Sequence, residues 1–259
     1  MWQKERHQRI SSLLQALGQV TKEQLTEELN VSRETIRRDL LEMEKLGLVN
    51  CVHGGVTTIP RTKEPPLKER TRLHTEEKRS IAREARKLVK RGDTIFLDCG
   101  TTTSLLAHEL STVHELHIIT NSIEAATIIR KANETSVINN TITLLGGNLG
   151  KFSAATLGNT TIREITRYHT DFAMLSPMAL HPKYGAMSYD PEEAEIAQAM
   201  SENASKIIIL ADHSKFQNTG RVSYCPINQI DKLIVGTQVE STSVYLAIKS
   251  LVREVCIAN

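Results

Sequence analysis

Apolar residues recur at helical spacing through the head of the chain. Ile10, Leu13, Leu14 and Leu17 lie three and four apart, which predicts a helix over 5–17 with one apolar face, ended by Gly18. Thr21 is a good N-cap, and Gln24 completes a capping box that starts a second helix carrying Leu25 and Leu29. Asn30-Val31-Ser32 reads as a tight turn. Ser32 then caps a third helix over 33–46 with Ile36, Leu40, Met43 and Leu46 facing inward, and Gly47 stops it. The short runs 48–52 and 56–59 flank His53-Gly54-Gly55, a hairpin signal. That order outlines a winged helix-turn-helix over residues 1–60.

The pattern changes around Pro65-Pro66. Residues 61–75 hold both prolines and many charges and read as a linker. Thr75 is expected to cap a helix running to Arg91, with Ile81, Ala85 and Leu88 on its buried stripe. Short apolar runs follow at 94–97, 117–120, 141–145, 172–175, 207–210, 233–235 and 254–257. Runs apolar on both faces suit a buried parallel sheet. Helical segments between them, including 104–110, 124–131 and 191–204, make residues 76–259 an open α/β domain.

Charge sharpens this division. The net charge is only +2, but residues 61–91 carry an excess of Lys and Arg between a balanced head and an acidic body. A basic stretch beside a DNA-reading module can track phosphates. It equally suits a solvated helix and linker.

The third helix carries the first candidate chemistry. With Ile36 and Leu40 turned to the core, Arg33, Thr35, Arg37 and Arg38 project elsewhere, within two turns of the helix start. A recognition helix needs this arrangement: arginines reach guanine edges or phosphates, and the short hydroxyls of Ser32 and Thr35 act at close approach. His53 at the hairpin tip would meet the adjacent backbone or minor groove. Asp39 and Glu42 are expected to pair with arginines. Glu34 paired with Arg38 on a solvated surface is the bland alternative.

Polar loops in the body carry the second. Asp98-Cys99-Gly100-Thr101-Thr102-Thr103-Ser104 runs from a strand into a helix, and hydroxyls with free N–H groups at a helix start make an anion site. It is neither a Walker loop nor a dinucleotide fingerprint. Thr120-Asn121-Ser122, Gly146-Gly147 and Asp212-His213-Ser214-Lys215 also follow apolar runs. In an open parallel sheet such loops converge at the carboxyl ends if their strands are neighbours. Together they suggest a site for a small polyhydroxy anion, with Lys215 meeting phosphate and Asp98 accepting from a hydroxyl. Glu195 has either a ligand role or a purely helix-dipole one.

Composition excludes several classes. No apolar run approaches the ~20 residues that span a bilayer, and the polar start does not read as a signal peptide, so a cytoplasmic protein without membrane association is expected. Cys51, Cys99, Cys225 and Cys256 lie far apart with no Cys-x-x-Cys pair, arguing against a zinc site or a disulfide framework. His108, His114 and His169 show no metal spacing. No metal or cofactor is expected.

These motifs resemble the DeoR family of bacterial transcriptional regulators. The resemblance rests on Arg6-His7-Gln8-Arg9-Ile10, residues 31–40, Gly47-Leu48 and His53-Gly54-Gly55 in the head. In the body it rests on Glu77-Lys78 with Ile81-Ala82, Leu97-Asp98-Cys99-Gly100-Thr101-Thr102, Thr120-Asn121-Ser122, Gly146-Gly147 and residues 211–216. It implies a homo-oligomeric regulator, dimer or tetramer, usually repressing sugar or polyol catabolism genes from double-stranded operator DNA. It also implies a C-terminal sensor domain similar in fold to ribose-phosphate isomerases that binds a phosphorylated metabolite. The family's effector loops fall on Asp98, Gly100, Thr101, Thr102, Asn121, Gly147 and Lys215, and its acidic position on Glu195. The chain departs from the usual pattern at Ser176-Pro177 and after Gly147. Two alternatives stay open: a DNA-binding oligomer whose effector pocket has decayed, and a sugar-phosphate isomerase with a DNA-binding head.

Overall fold

Three helices and a small sheet form the first of two units, Met1–Arg61, and a layered α/β body forms the second, Thr62–Asn259. The computed structural model describes residues 2–17, 19–46, 48–52, 54–57, 67–135, 137–151, 153–218, 220–240 and 242–259.

In the first unit the elements are α1 (Gln3–Leu17), β1 (Gln19–Thr21), α2 (Lys22–Leu29), α3 (Arg33–Lys45), β2 (Asn50–Val52) and β3 (Gly55–Thr57). The caps are those the sequence suggests. Thr21 accepts from Gln24 N while the Gln24 side chain accepts from Thr21 N. Asn30 takes the left-handed conformation at φ 48, and Ser32 accepts from Thr35 N. Ile10, Leu14, Leu25, Ile36, Leu40 and Met43 close the core. Leu17 and Leu46, expected on the inward stripes, are 60% and 63% exposed. Each stands at a helix end, past the reach of the small core. β1 was not anticipated; it pairs with β3, which also pairs with β2. Gly18, Gly47 and His53 lie outside the described residues.

The second unit opens with α4 (Leu67–Arg70) and α5 (Thr75–Arg86), then β4 (Thr94–Leu97), α6 (Thr101–Leu110), β5 (His117–Thr120), α7 (Ile123–Thr135) and β6 (Thr141–Leu144). The stretch expected as linker is thus partly structured. The buried Lys78 ammonium donates to the carbonyls of Arg70 and Leu73, both at 2.7 Å, fixing the segment before α5 onto the body. Thr75 does not cap α5. His74, left-handed at φ 55, precedes the helix, and Thr75 Oγ1 donates instead to the Thr71 carbonyl. The helix ends at Arg86 rather than Arg91.

Next come β7 (Asn148–Leu149), β8 (Thr156–Leu157), α8 (Asn159–Ile165), β9 (Thr170–Leu175), β10 (Ala179–His181), β11 (Gly185–Ser188) and α9 (Pro191–Glu202). The chain closes with β12 (Ala204–Ala211), β13 (Val222–Cys225), β14 (Lys232–Gly236), α10 (Ser243–Lys249) and β15 (Glu254–Ala258). The seven apolar runs are the seven strands of one parallel sheet, ordered β15-β14-β12-β9-β4-β5-β6. Successive side chains enter opposite cores: Phe96 packs with Ile119 and Ile209 on one face, Ile95 and Leu97 with Ile118 and Leu210 on the other. This is why the inner runs are apolar throughout, whereas edge strand β6, Thr-Ile-Thr-Leu, alternates.

From β4 the chain steps outward through β5 to β6, then returns to place β9 on the other side of β4 and continues outward to β15. The order reverses between β4 and β9. A crevice at the carboxyl ends of such a pair is where ligands settle in open α/β sheets. A separate antiparallel sheet, β10-β11-β13, had no counterpart in the sequence reading.

Candidate functional site

On α3 the apolar stripe Ile36, Leu40 and Met43 is buried, while Ser32, Arg33, Arg37 and Arg38 are exposed and Thr35 is partly so. Ser32 Oγ and Thr35 Oγ1 lie 2.9 Å apart at the helix start. Arg37 donates to both oxygens of Glu34, at 2.8 and 2.9 Å, and Arg38 adds a third bond at 3.1 Å. These bonds hold the exposed Glu34 carboxyl at about 2. Arg33 reaches Glu23 at 3.5 Å. The helix therefore presents guanidinium and hydroxyl groups outward, with its two central arginines parked on one carboxylate.

The other acids of α3, Asp39, Glu42 and Glu44, serve the head's own fold, Glu44 accepting from Cys51 N at 2.9 Å. Asp39, 1% exposed, receives Arg6 Nε and Nη2 at 2.6 and 2.9 Å, with His7 at 3.4 Å. Burial alone would raise its pKa, and the Arg6 guanidinium more than offsets this, leaving it lowered. Glu42 was expected to pair with an arginine; it accepts from the Gln3 amide instead, at 2.6 Å.

In the second unit a cavity of about 40 Å³ opens at the switch point. Asp98, Cys99 and Gly100 line it from the end of β4, Ser122 and Glu124 from the end of β5, and Ser176, Pro177 and Met178 from the end of β9. Arg70, Glu193 and Tyr224 close its sides. The departure from the family pattern at Ser176-Pro177 thus falls on the cavity wall. A wider groove of about 780 Å³ shares Glu124 and Ala154 with it.

Two helices begin close by and differ in their caps. α7 is capped, Ser122 Oγ accepting from Ala125 N. No side chain caps α6 after Gly100, so its first N–H groups are left for a ligand or solvent. Asp98 accepts from Cys99 N at 2.7 Å, yet burial pushes its pKa up to about 7, helped by the charge of Glu193. Asn121 comes near enough to favour the charged form of Asp98, but neither of its buried amide atoms completes a hydrogen bond. The buried Tyr224 hydroxyl is also without a partner. Groups of this kind are costly unless something satisfies them.

The remaining expected positions divide. Thr101 and Thr102 sit in the first turn of α6, and Thr102 is buried. Gly147 lines neither cavity nor groove; a side chain there would stand 2.1 Å from Thr161 Oγ1 and 2.6 Å from the Leu157 carbonyl, so close backbone approach accounts for it. Glu195 does not reach the cavity. It is exposed, because on α9 it lies about 200° around from Glu193, which does line it. Lys215 is buried beside Asp212 after β12, and β9 separates that strand from β4. The expected convergence of four loops holds for those after β4 and β5 only. Glu193, Tyr224 and Arg70 were missed. A period-3.6 reading of α9 from its buried Ala194 and Ala197 separates Glu193 from Glu195; the other two have no local signal.

A recognition-type helix over a three-helix core, with a parallel α/β unit holding a polar cavity at its switch point, is the build of a DNA-binding regulator with a sensor domain. The chain belongs to the DeoR family of transcriptional regulators: residues 6–62 match the DeoR-like helix-turn-helix domain and 73–237 the DeoR C terminal sensor domain. Among its relatives, the glycerol-3-phosphate regulon repressor of Escherichia coli strain K12 is 31% identical over 89% of this chain and 90% of that protein. The HTH-type transcriptional repressor GlcR of Bacillus subtilis is 33% identical over 90% and 88%. Among solved structures, ribose 5-phosphate isomerase A of Methanocaldococcus jannaschii covers 55% of this chain and 54% of its own at 20% identity and a TM-score of 0.39. At that score the likeness says nothing of function. No described helix is long and apolar enough to cross a membrane.

Proposed function

We propose that this chain is a repressor of carbohydrate or polyol catabolism genes, released from its operator by a phosphorylated sugar or related metabolite. Ser32, Arg33, Thr35, Arg37, Arg38 and His53 read or hold the duplex. The effector's phosphate sits on the uncapped start of α6, at Gly100, Thr101 and Thr102. Asp98, Asn121, Glu193 and Tyr224 hold its hydroxyls, and Arg70 supplies positive charge. Residues 1–60 act as the DNA-binding domain and 76–259 as the sensing and oligomerising one. The working form is a homo-oligomer, dimer or tetramer, that does no chemistry on its ligand.

The observation that carries this reading is a single chain holding both an outward row of arginines on a capped helix and an uncapped helix start beside buried, unsatisfied polar groups. Regulation follows if the metabolite prefers one arrangement of the oligomer; a ligand indifferent to the arrangements shifts nothing. The cavity of about 40 Å³ holds little more than water, so effector binding must widen it. A thermal-shift screen with glycerol 3-phosphate and pentose and hexose phosphates tests the sensor. Stabilisation that Thr102→Val weakens supports it. No stabilisation by any of them far above micromolar concentrations leaves a body that only oligomerises.

A further inference from the structure

Outside the effector cavity, His74, Glu77 and His213 bring one ligand atom each within 4.8 Å of one another. We propose that they form a binding site for a divalent transition cation of the zinc class, fastening the entry segment before α5 to the turn after β12. The sequence hid the set because its spacing is not local: His74 and Glu77 stand three apart, and His213 lies 136 residues beyond Glu77.

Two of the three ligands are already oriented. His213 Nδ1 lies 2.7 Å from Glu77 Oε2, and the other carboxylate oxygen, Oε1, accepts the His213 backbone N–H at 2.9 Å. A cation at the Nδ1–Oε2 position takes the place of one proton, while Oε1 keeps its bond and fixes the carboxylate plane. Glu77 is also confined from behind, since Gly236 has no room for a side chain against it. The His74 ring stands edge-on to His213 with centroids 4.3 Å apart. Ligand atoms around tetrahedral zinc lie ~3.3 Å apart, so the set, whose atoms lie within 4.8 Å of one another, must close by at most about 1.5 Å. Two imidazoles and one carboxylate leave a fourth position for water, a donor set that suits zinc.

The surroundings of the three ligands carry charge of both signs. Asp212, next to His213 in the chain, is buried and accepts from Ser214 N at 3.0 Å. Lys78, 4.0 Å from its Oδ2, and Lys215 both act on this carboxylate by charge, and Lys78 also donates to the Arg70 and Leu73 carbonyls. The cation would sit where Lys78 already holds the segment before α5.

The test is equilibrium dialysis of the untagged full chain against Zn²⁺, with metal content measured per chain, and Co²⁺ absorption as a probe of coordination. One ion per chain, a four-coordinate cobalt spectrum and at least about tenfold weaker binding in His74→Asn support the site. His74→Asn tolerates the left-handed backbone and keeps the Glu77–His213 pair, so it should fold. Binding that is absent in the wild type, or equal in the wild type and His74→Asn, overturns it.

Discussion

Arg37 and Glu34 share one turn of α3, the guanidinium donating through Nε and Nη2 to the two carboxylate oxygens at 2.8 and 2.9 Å. A DNA phosphate or guanine edge must compete with this exposed pair, which costs little to open. Glu34→Gln removes the competing charge and releases Arg38 as well. It should tighten binding to random duplex by roughly threefold to tenfold at low salt and steepen the salt dependence, read by fluorescence anisotropy. Unchanged or weaker binding would show that Arg37 and Arg38 do not face the duplex.

Arg6→Ala leaves the Asp39 carboxylate buried without its main partner. A loss of about 3 kcal/mol in head stability is expected, seen as faster hydrogen exchange in α1 and α3 with the second unit unaffected. The Asp39 pKa is lower folded than unfolded, so the stabilisation is present above the unfolded value near 4 and fades as pH falls through the folded one. Arg6→Ala should therefore matter least in acid. A penalty independent of pH would place the effect in packing rather than charge.

Asp98 has the opposite sign. Its folded value of about 7 lies above the unfolded one, so the folded chain retains a proton between roughly pH 4 and 7, and stability from this group declines as pH rises across that window. Asp98→Asn should raise stability at pH 8 by up to about 4 kcal/mol and leave it nearly unchanged at pH 4. Thermal melts at the two pH values decide this. The same variant should weaken the effector response, the usual trade at a site that stores unfavourable burial.

Gly147→Ala separates scaffold from ligand contact. The added carbon meets Thr161 Oγ1 and the Leu157 carbonyl at a backbone φ of 150. About 1–3 kcal/mol should be lost in the absence of any effector. A normal melt with impaired effector binding would instead return Gly147 to the binding site.

How much the sequence discloses depends on whether the signal is local. Thr21, Gln24 and Ser32 announce their helices because a cap is a contact across three residues. The inner sheet strands show because they are apolar on both faces; the edge strand β6, Thr-Ile-Thr-Leu, has no buried residue and shows only by its alternating Ile and Leu. Leu17 and Leu46 mislead because periodicity gives a direction but not the depth of a small core. β10, β11 and β13 are short, and two glycines at close backbone approach, Gly185 and Gly220, interrupt the alternation near them. Lys215 and the Glu193–Glu195 choice turn on strand order and helix phase. No run of residues records that β9 intervenes between β12 and β4.

The central claim is that the outward side of α3 enters a DNA groove. Affinity of the wild type and Arg37→Ala for duplex taken from upstream of its own gene, and for random duplex, measured across a salt series, tests it most directly. Wild-type binding should weaken steeply with salt, and Arg37→Ala should lose about 1–3 kcal/mol on the upstream site and less on random sequence. Binding that is flat with salt, or an Arg37→Ala variant that holds the upstream site as tightly as the wild type, would contradict the account.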